Sequence, residues 1–388
     1  MCRTAVLPPL RRLRVLLPEL ATLSLGAGVL ALLSFTGVLE WLLAGNASTI
    51  VLGLILLGSV VVVLSLQVAR QAELLAEELG EPFGTLVLTG SVIVIELALI
   101  GSTMLTGESN PTLARDSMFS VLMVALTGIT GLCMGLTSRM QKQNRDQPMR
   151  VEDLAATNTA GAMVYYNLIG TMSVLVLIIP NFSNDSPEGN FSLPLNIVLS
   201  VISVVVYGLF LFNQTGAYRG FFMEMFAEEG GDPSSRHHAE LEGGPWQAAA
   251  LLMGTLAIVV VIAESMGQLI ERGVNELNLP SSLAGILVAM LILLPEAFNA
   301  IQATLKGKLQ RALNTLYGSV LSTISLTVPA VLLIGEATGT KVILGLEQYE
   351  MVLLTLTLFL LRPHSRVLGS EGLMLLVVFL FWFVLELV

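Results

Sequence analysis

The chain has 388 residues, of which 54% are hydrophobic and only 12% charged, with a net charge of −10 and a mean hydropathy of +0.80. Soluble domains carry roughly 25% charged residues, so a water-soluble enzyme, a disordered chain and a disulfide scaffold are excluded. The negative balance argues against nucleic acid, and two cysteines, Cys2 and Cys133, cannot build a zinc cluster.

A bilayer-spanning helix needs about 20 consecutive apolar residues. Eleven such stretches are predicted, at 15–36, 48–69, 83–106, 117–138, 159–180, 194–215, 246–270, 281–304, 312–334, 342–361 and 368–387. The basic start leads into an apolar stretch too long for a signal sequence and lacks a small-residue cleavage site, so it reads as a first membrane helix. None of the 19 Lys and Arg residues falls inside a predicted span. With the N terminus in the cytoplasm, inner segments hold 16 of them and outer segments only Arg115, Arg272 and Lys341. That bias predicts N-in, C-out topology.

The fold expected is an all-α integral membrane protein of eleven helices. Residues 1–47 form a cytoplasmic start and a lone first helix. Five helices follow over 48–215, then a cytoplasmic loop at 216–245, then five more helices over 246–388. The loop is acidic, with Glu224, Glu228, Glu229, Asp232, Glu240 and Glu242 in its 224–242 centre. It reads either as a solvated linker or as a cation-attracting, regulatory segment.

The two five-helix blocks share a signature. Residues 73–82 (ELLAEELGEP) and 271–280 (ERGVNELNLP) both fit E-x4-E-L-x-x-P. Each proline precedes a helix with one buried acid, Glu96 or Glu296. Each following helix opens near an L-x-R, Leu113 to Arg115 and Leu309 to Arg311. Because five is odd, the second block enters the membrane from the opposite side, which is the inverted-repeat arrangement of secondary transporters.

An acid inside a span is a functional candidate because its charge is expensive there. Glu96 shares a helical face with Thr85, Thr89 and Thr103. Asn299 lies one turn after Glu296, and Pro295 removes a backbone donor just before it. Thr315, Ser319, Ser322 and Ser325 form a stripe on the next helix, suited either to binding or to close packing of membrane helices. Glu264, in the seventh span, has no counterpart in the second, where Leu66 stands, and reads as a supporting ligand or a local hydrogen-bonding group. Glu347, Glu350, Glu371 and Glu386 fall at predicted span ends, where an interface explains them.

Two glutamates meeting at the midplane would make an oxygen-rich pocket suited to Ca²⁺ and to other hard cations. Burial and mutual repulsion favour the protonated carboxyls, and a cation displaces the protons. Exchange then follows, because the pair can cross between open states only when neutralised, by Ca²⁺, by two H⁺, or by Na⁺ or K⁺ with one retained proton. No cofactor and no ATP are required. An intramembrane hydrolase would need Asp, His or Lys in the spans, and the predicted spans contain none.

The strings EPFGTLVLTGSVIVIELALI, LARDSMFSVLMVALTGITGLC, LVAMLILLPEAFNAIQAT and LQRALNTLYGSVLSTISLTVPAV resemble the cation/Ca²⁺ exchanger superfamily, over about residues 48–388. The resemblance implies one lone helix and two inverted five-helix repeats. It implies a cation/proton antiporter in a bacterial plasma membrane, exporting cytoplasmic Ca²⁺ or, alternatively, Na⁺ or K⁺. It also implies that Glu96 and Glu296 bind cation and proton alternately, with Glu264 matching an acid found before the second repeat. The chain departs from the G-N-A-x-E and G-S-x-x-Q patterns of the Ca²⁺/H⁺ exchangers. Val92–Glu96, Ile292–Glu296 and Gly318–Ser322 lack their Asn and Gln, and Ala297 replaces a His, which leaves room for monovalent ions.

Overall fold

The computed structural model describes residues 9–79, 83–106, 111–143, 154–183, 189–216, 218–222, 245–280 and 282–387. The acidic 224–242 segment and Pro82 lie outside them. The helices are α1 (Pro9–Phe35), α2 (Val38–Leu43), α3 (Ala47–Leu79), α4 (Phe83–Thr106), α5 (Leu113–Gln143) and α6 (Thr159–Phe182). After them come α7 (Leu193–Thr215), α8 (Pro245–Glu276), α9 (Ser282–Leu305), α10 (Leu309–Thr338), α11 (Gln348–Leu360) and α12 (Gly369–Leu387). Among the described residues the β-pairing consists of an isolated antiparallel bridge, Ala156 with Arg366.

The molecule is an all-helical membrane protein. Among the described residues eight helices are long and apolar enough to cross a bilayer, and shorter apolar helices run over Glu19–Phe35, Thr89–Ser102 and Gln348–Leu360. Their exposed faces carry large apolar side chains such as Leu52, Ile55, Val201, Val204, Phe359 and Phe381, as a lipid-facing surface requires.

Local chemistry sets several helix ends. Asn158 caps α6, its side chain accepting from the amides of Ala160 and Gly161. Glu347 and Glu350 form a capping box that starts α11. That box corrects one predicted boundary: the apolar run 342–346 is not helical. Its backbone instead binds two loops and the end of α6, Ile343 N to Pro111 O (2.8 Å), Leu344 N to Gly189 O (3.0 Å) and Leu346 N to Leu177 O (2.8 Å). Leu344 and Leu346 are buried, so the segment is a strap packed across helix ends.

The packing interleaves the two halves. α3 and α4 lie against α8, α5 lies against α9 and α12, and each acid-bearing helix reaches the third helix of the other half. α5 and α12 cross backbone to backbone at Gly131 and Gly372, where an added Cβ on either would sit 2.7 Å from the other's carbonyl oxygen. α5 and α10 each contain a π-turn, Val124–Ile129 and Thr323–Thr327. α4 packs on the turn in α10, and α9 on the turn in α5.

Candidate ion-binding site

Glu96 and Glu296 are the deepest acids of α4 and α9, 1% and 7% exposed. A charge at such a depth is tolerated only where protein, proton or cation balances it. The Thr323 hydroxyl, on the π-turn of α10, donates to Glu96 Oε2 at 3.1 Å. Thr327 stands beside the same carboxyl, and Glu296 is near enough to act on it electrostatically. Glu96 Oε1 and Glu296 Oε2 are buried without a protein hydrogen-bond partner.

A cavity of about 210 Å³ adjoins this pair. Its lining includes Glu296, Thr89, Asn299, Ser319 and Ser322, so α4, α9 and α10 each contribute an oxygen-bearing side chain to its wall. Thr315 also lines it, whereas Ser325 is buried elsewhere without a partner. Towards one end of the bundle the walls become Tyr165, Tyr207, Gln214 and Asn314. Gln214 Nε2 donates to the Tyr165 hydroxyl (3.0 Å), and Asn314 Nδ2 donates to the carbonyl of Phe222 (2.6 Å).

Glu96 does not line the cavity; it sits behind it, held by Thr323. Glu264 is exposed on α8 and is not among the lining residues. The side chains of Thr85 and Thr103 lie outside the described set. Sequence reasoning missed Thr323, Thr327, Tyr207 and Gln214. For the two threonines the signal was present, since Thr315, Ser319, Thr323 and Thr327 recur at every fourth residue, a second stripe beside the one through Ser322 and Ser325.

Two further departures concern charge. Arg115 and Asp116, expected in an outer loop, lie in the first turn of α5 and are buried. Arg115 Nε meets Asp116 Oδ1 at 2.7 Å, and its Nη1 donates to Gly345 O of the strap (3.2 Å). Glu350 and Glu386 are buried too, Glu386 accepting from Trp382 Nε1 at 3.0 Å.

A model of the sodium/calcium exchanger protein family matches residues 49–216 and 247–388. The chain belongs to that family. It is therefore a membrane transporter of the cation/Ca²⁺ exchanger superfamily and not an enzyme, and its cargo is cations and protons. Similar proteins include the sodium-potassium/proton antiporter ChaA of Escherichia coli (strain K12), 35% identical over 295 residues, which span 76% of each chain. Vacuolar cation/proton exchanger 3 of Oryza sativa subsp. japonica is 25% identical over 198 residues, 49% of this chain and 46% of that one. Among solved structures, the H⁺/Ca²⁺ exchanger CAX superposes with a TM-score of 0.64 at 12% identity, covering 95% of this chain and 88% of that one. The Ca²⁺/H⁺ antiporter YfkE does so with a TM-score of 0.61 at 18% identity, covering 90% and 99%. These two likenesses concern the fold.

Proposed function

We propose that this antiporter exports a cytoplasmic monovalent cation, Na⁺ or K⁺, in exchange for H⁺ by alternating access. Glu296, Thr89, Asn299, Ser319 and Ser322 bind the cation, which displaces one of the two protons held by Glu296 and Glu96, while the other proton stays on the pair and keeps it neutral. The observation that carries the reading is the pair of buried, unpartnered carboxylate oxygens beside a cavity walled by hydroxyl and amide groups. In low dielectric two bare carboxylates are prohibitively costly. The carrier changes its open side only when proton or cation has neutralised them, and that restriction couples the two fluxes.

The choice of ion shifts from the Ca²⁺ expected above. Only one carboxylate lines the cavity, and the other ligands are neutral, which suits a single charge; Ca²⁺ takes six to eight oxygens and favours more than one carboxylate. The name of the Escherichia coli relative points the same way. Ca²⁺ keeps one supporting point, the electrostatic repulsion that Glu296 exerts on Glu96, which a divalent ion would relieve.

The frame for this cycle is eleven membrane helices, a lone first helix and two inverted repeats of five, with the N terminus in the cytoplasm of a bacterial cell and the C terminus outside. The repeated signature, the 16-to-3 charge bias and the reciprocal packing of acid-bearing helix on opposite π-turn support it. The cavity then reaches the cytoplasmic end. Everted vesicles carrying a pH-sensitive dye test the function: Na⁺ or K⁺ should dissipate the acid-inside gradient in preference to Ca²⁺. A response to Ca²⁺ alone would replace the monovalent assignment, and no response to any of the three would reject antiport.

A further inference from the structure

Shortly after the end of α7 the chain folds back on the bundle as a single 3₁₀ turn, Arg219–Phe222. The turn lies so close to α6 that a Cβ at Gly161 would collide with the carbonyl of Phe221. The Phe222 ring is half-buried and meets Tyr165 edge-on, with centroids 5.5 Å apart, and Phe210 at 5.9 Å. Tyr165 and Phe210 line the transport cavity and Phe222 does not, so its ring backs that wall.

One side chain joins this turn to the helix that carries ion ligands. Asn314, on α10, lines the cavity and donates from Nδ2 to the Phe222 carbonyl at 2.6 Å. Its Oδ1 accepts from Gln310 Nε2 (2.9 Å), and Gln310 Oε1 accepts from the backbone amide of Asn158 at the start of α6 (2.9 Å). Both ends of the Asn314 amide are engaged, which fixes its orientation. Ring packing alone would let the turn slide, whereas a directed hydrogen bond holds one register. Ser319, Ser322 and Thr323 follow on the same helix, so α10 links the turn to the site.

We propose that Asn314 is a positioning residue for cation/proton exchange: by holding the Phe222 carbonyl it latches α10 to the turn and stabilises the state whose cavity opens to the cytoplasm. The proposal rests on the antiport reading and the cytoplasmic placement argued above. The latch breaks when α10 moves against the aromatic wall and the cavity opens to the other side. Apparent affinity falls with the fraction of protein in the binding-competent state. Loss of the latch therefore weakens cation binding from the cytoplasm and not from outside.

The latch can be read without transport. Deuterium labelling of the full chain in detergent should find the amides of residues 218–222 protected in wild type. Asn314→Leu should speed their labelling about threefold to tenfold, as loss of one hydrogen bond implies. Equal labelling of the two proteins would overturn the proposal. Transport gives a second readout. In everted vesicles, which present the cytoplasmic face, the half-saturating concentration of the driving cation should rise about threefold to tenfold in Asn314→Leu and Asn314→Asp. Asn314→Gln, which keeps the donor, should recover most of the loss. In right-side-out vesicles the same concentration should stay level or fall. Phe222→Ala, outside the cavity lining, should act like Asn314→Leu in everted vesicles, and the double variant should be no worse than either single one. A rise from both faces, additive losses, or tighter binding in Asn314→Asp would overturn the proposal, the last by making Asn314 a direct ligand. Absence of cation-driven flux in wild type would instead reject the antiport reading, while the labelling experiment still decides whether the latch exists.

Discussion

The hydroxyl of Thr323 donates to the carboxylate of Glu96 at 3.1 Å, across the boundary between the two halves of the chain. A buried carboxylate would otherwise have neither oxygen satisfied, since its second is already without a partner. The contact ties one half's acid to the π-turn of the other half, so any rearrangement of α10 changes the environment of Glu96.

Thr323→Val keeps the shape and removes the donor. A hydrogen bond to a charged group is worth about 1.5–3 kcal/mol, so exchange should fall roughly tenfold or more, while Thr323→Ser restores most of it. Initial rates of dye recovery in everted vesicles check this. Equal activity of the valine and serine variants would remove Thr323 from the account.

Glu96→Gln and Glu296→Gln should each abolish exchange in protein that still folds and inserts. They should differ in binding. Because Glu296 lines the cavity and Glu96 does not, protection of the purified protein against heat by Na⁺ should vanish in Glu296→Gln and persist, weakened, in Glu96→Gln. Retained exchange in either variant would exclude the shared-carboxyl mechanism.

Glu264 is an acid in a membrane helix, yet it is exposed and outside the cavity lining. Glu264→Gln should leave exchange within about twofold of wild type, since surface substitutions usually change little. Loss of transport would show that α8 presents this side chain to the ion in another state of the cycle.

Gly131→Val places a branched side chain where the Gly372 carbonyl oxygen lies 2.7 Å from the position of a Cβ. Overpacking of this kind costs about 1–3 kcal/mol, and the thermal midpoint in detergent should drop. An unchanged midpoint would mean that α5 and α12 do not cross this closely.

Much of the architecture was legible because hydropathy reports lipid exposure directly. The features that escaped it depend on context. The run 342–346 is as apolar as a helix, but its backbone is satisfied by Pro111, Gly189 and Leu177, partners remote in sequence. Asp116 looks like a loop residue until Arg115 is seen beside it, forming a pair that makes burial tolerable. The stripe Thr315, Ser319, Ser322 leads to the cavity and then fails at Ser325. Thr323, one turn after Ser319 and at the start of the π-turn, meets the carboxylate of Glu96, whereas Ser325 within that turn does not. Glu264 has the chemistry of a ligand, but its face of α8 is turned outwards, and facing is set by packing rather than by residue type.

The competition of cation and proton for the same carboxyl groups can be measured most directly by proton release. Na⁺ or K⁺ is titrated into weakly buffered, detergent-purified protein while pH is recorded. Binding should release protons from wild type, and the release should disappear in Glu296→Gln. Saturable cation binding with no proton released, or release unchanged in that variant, would contradict the account.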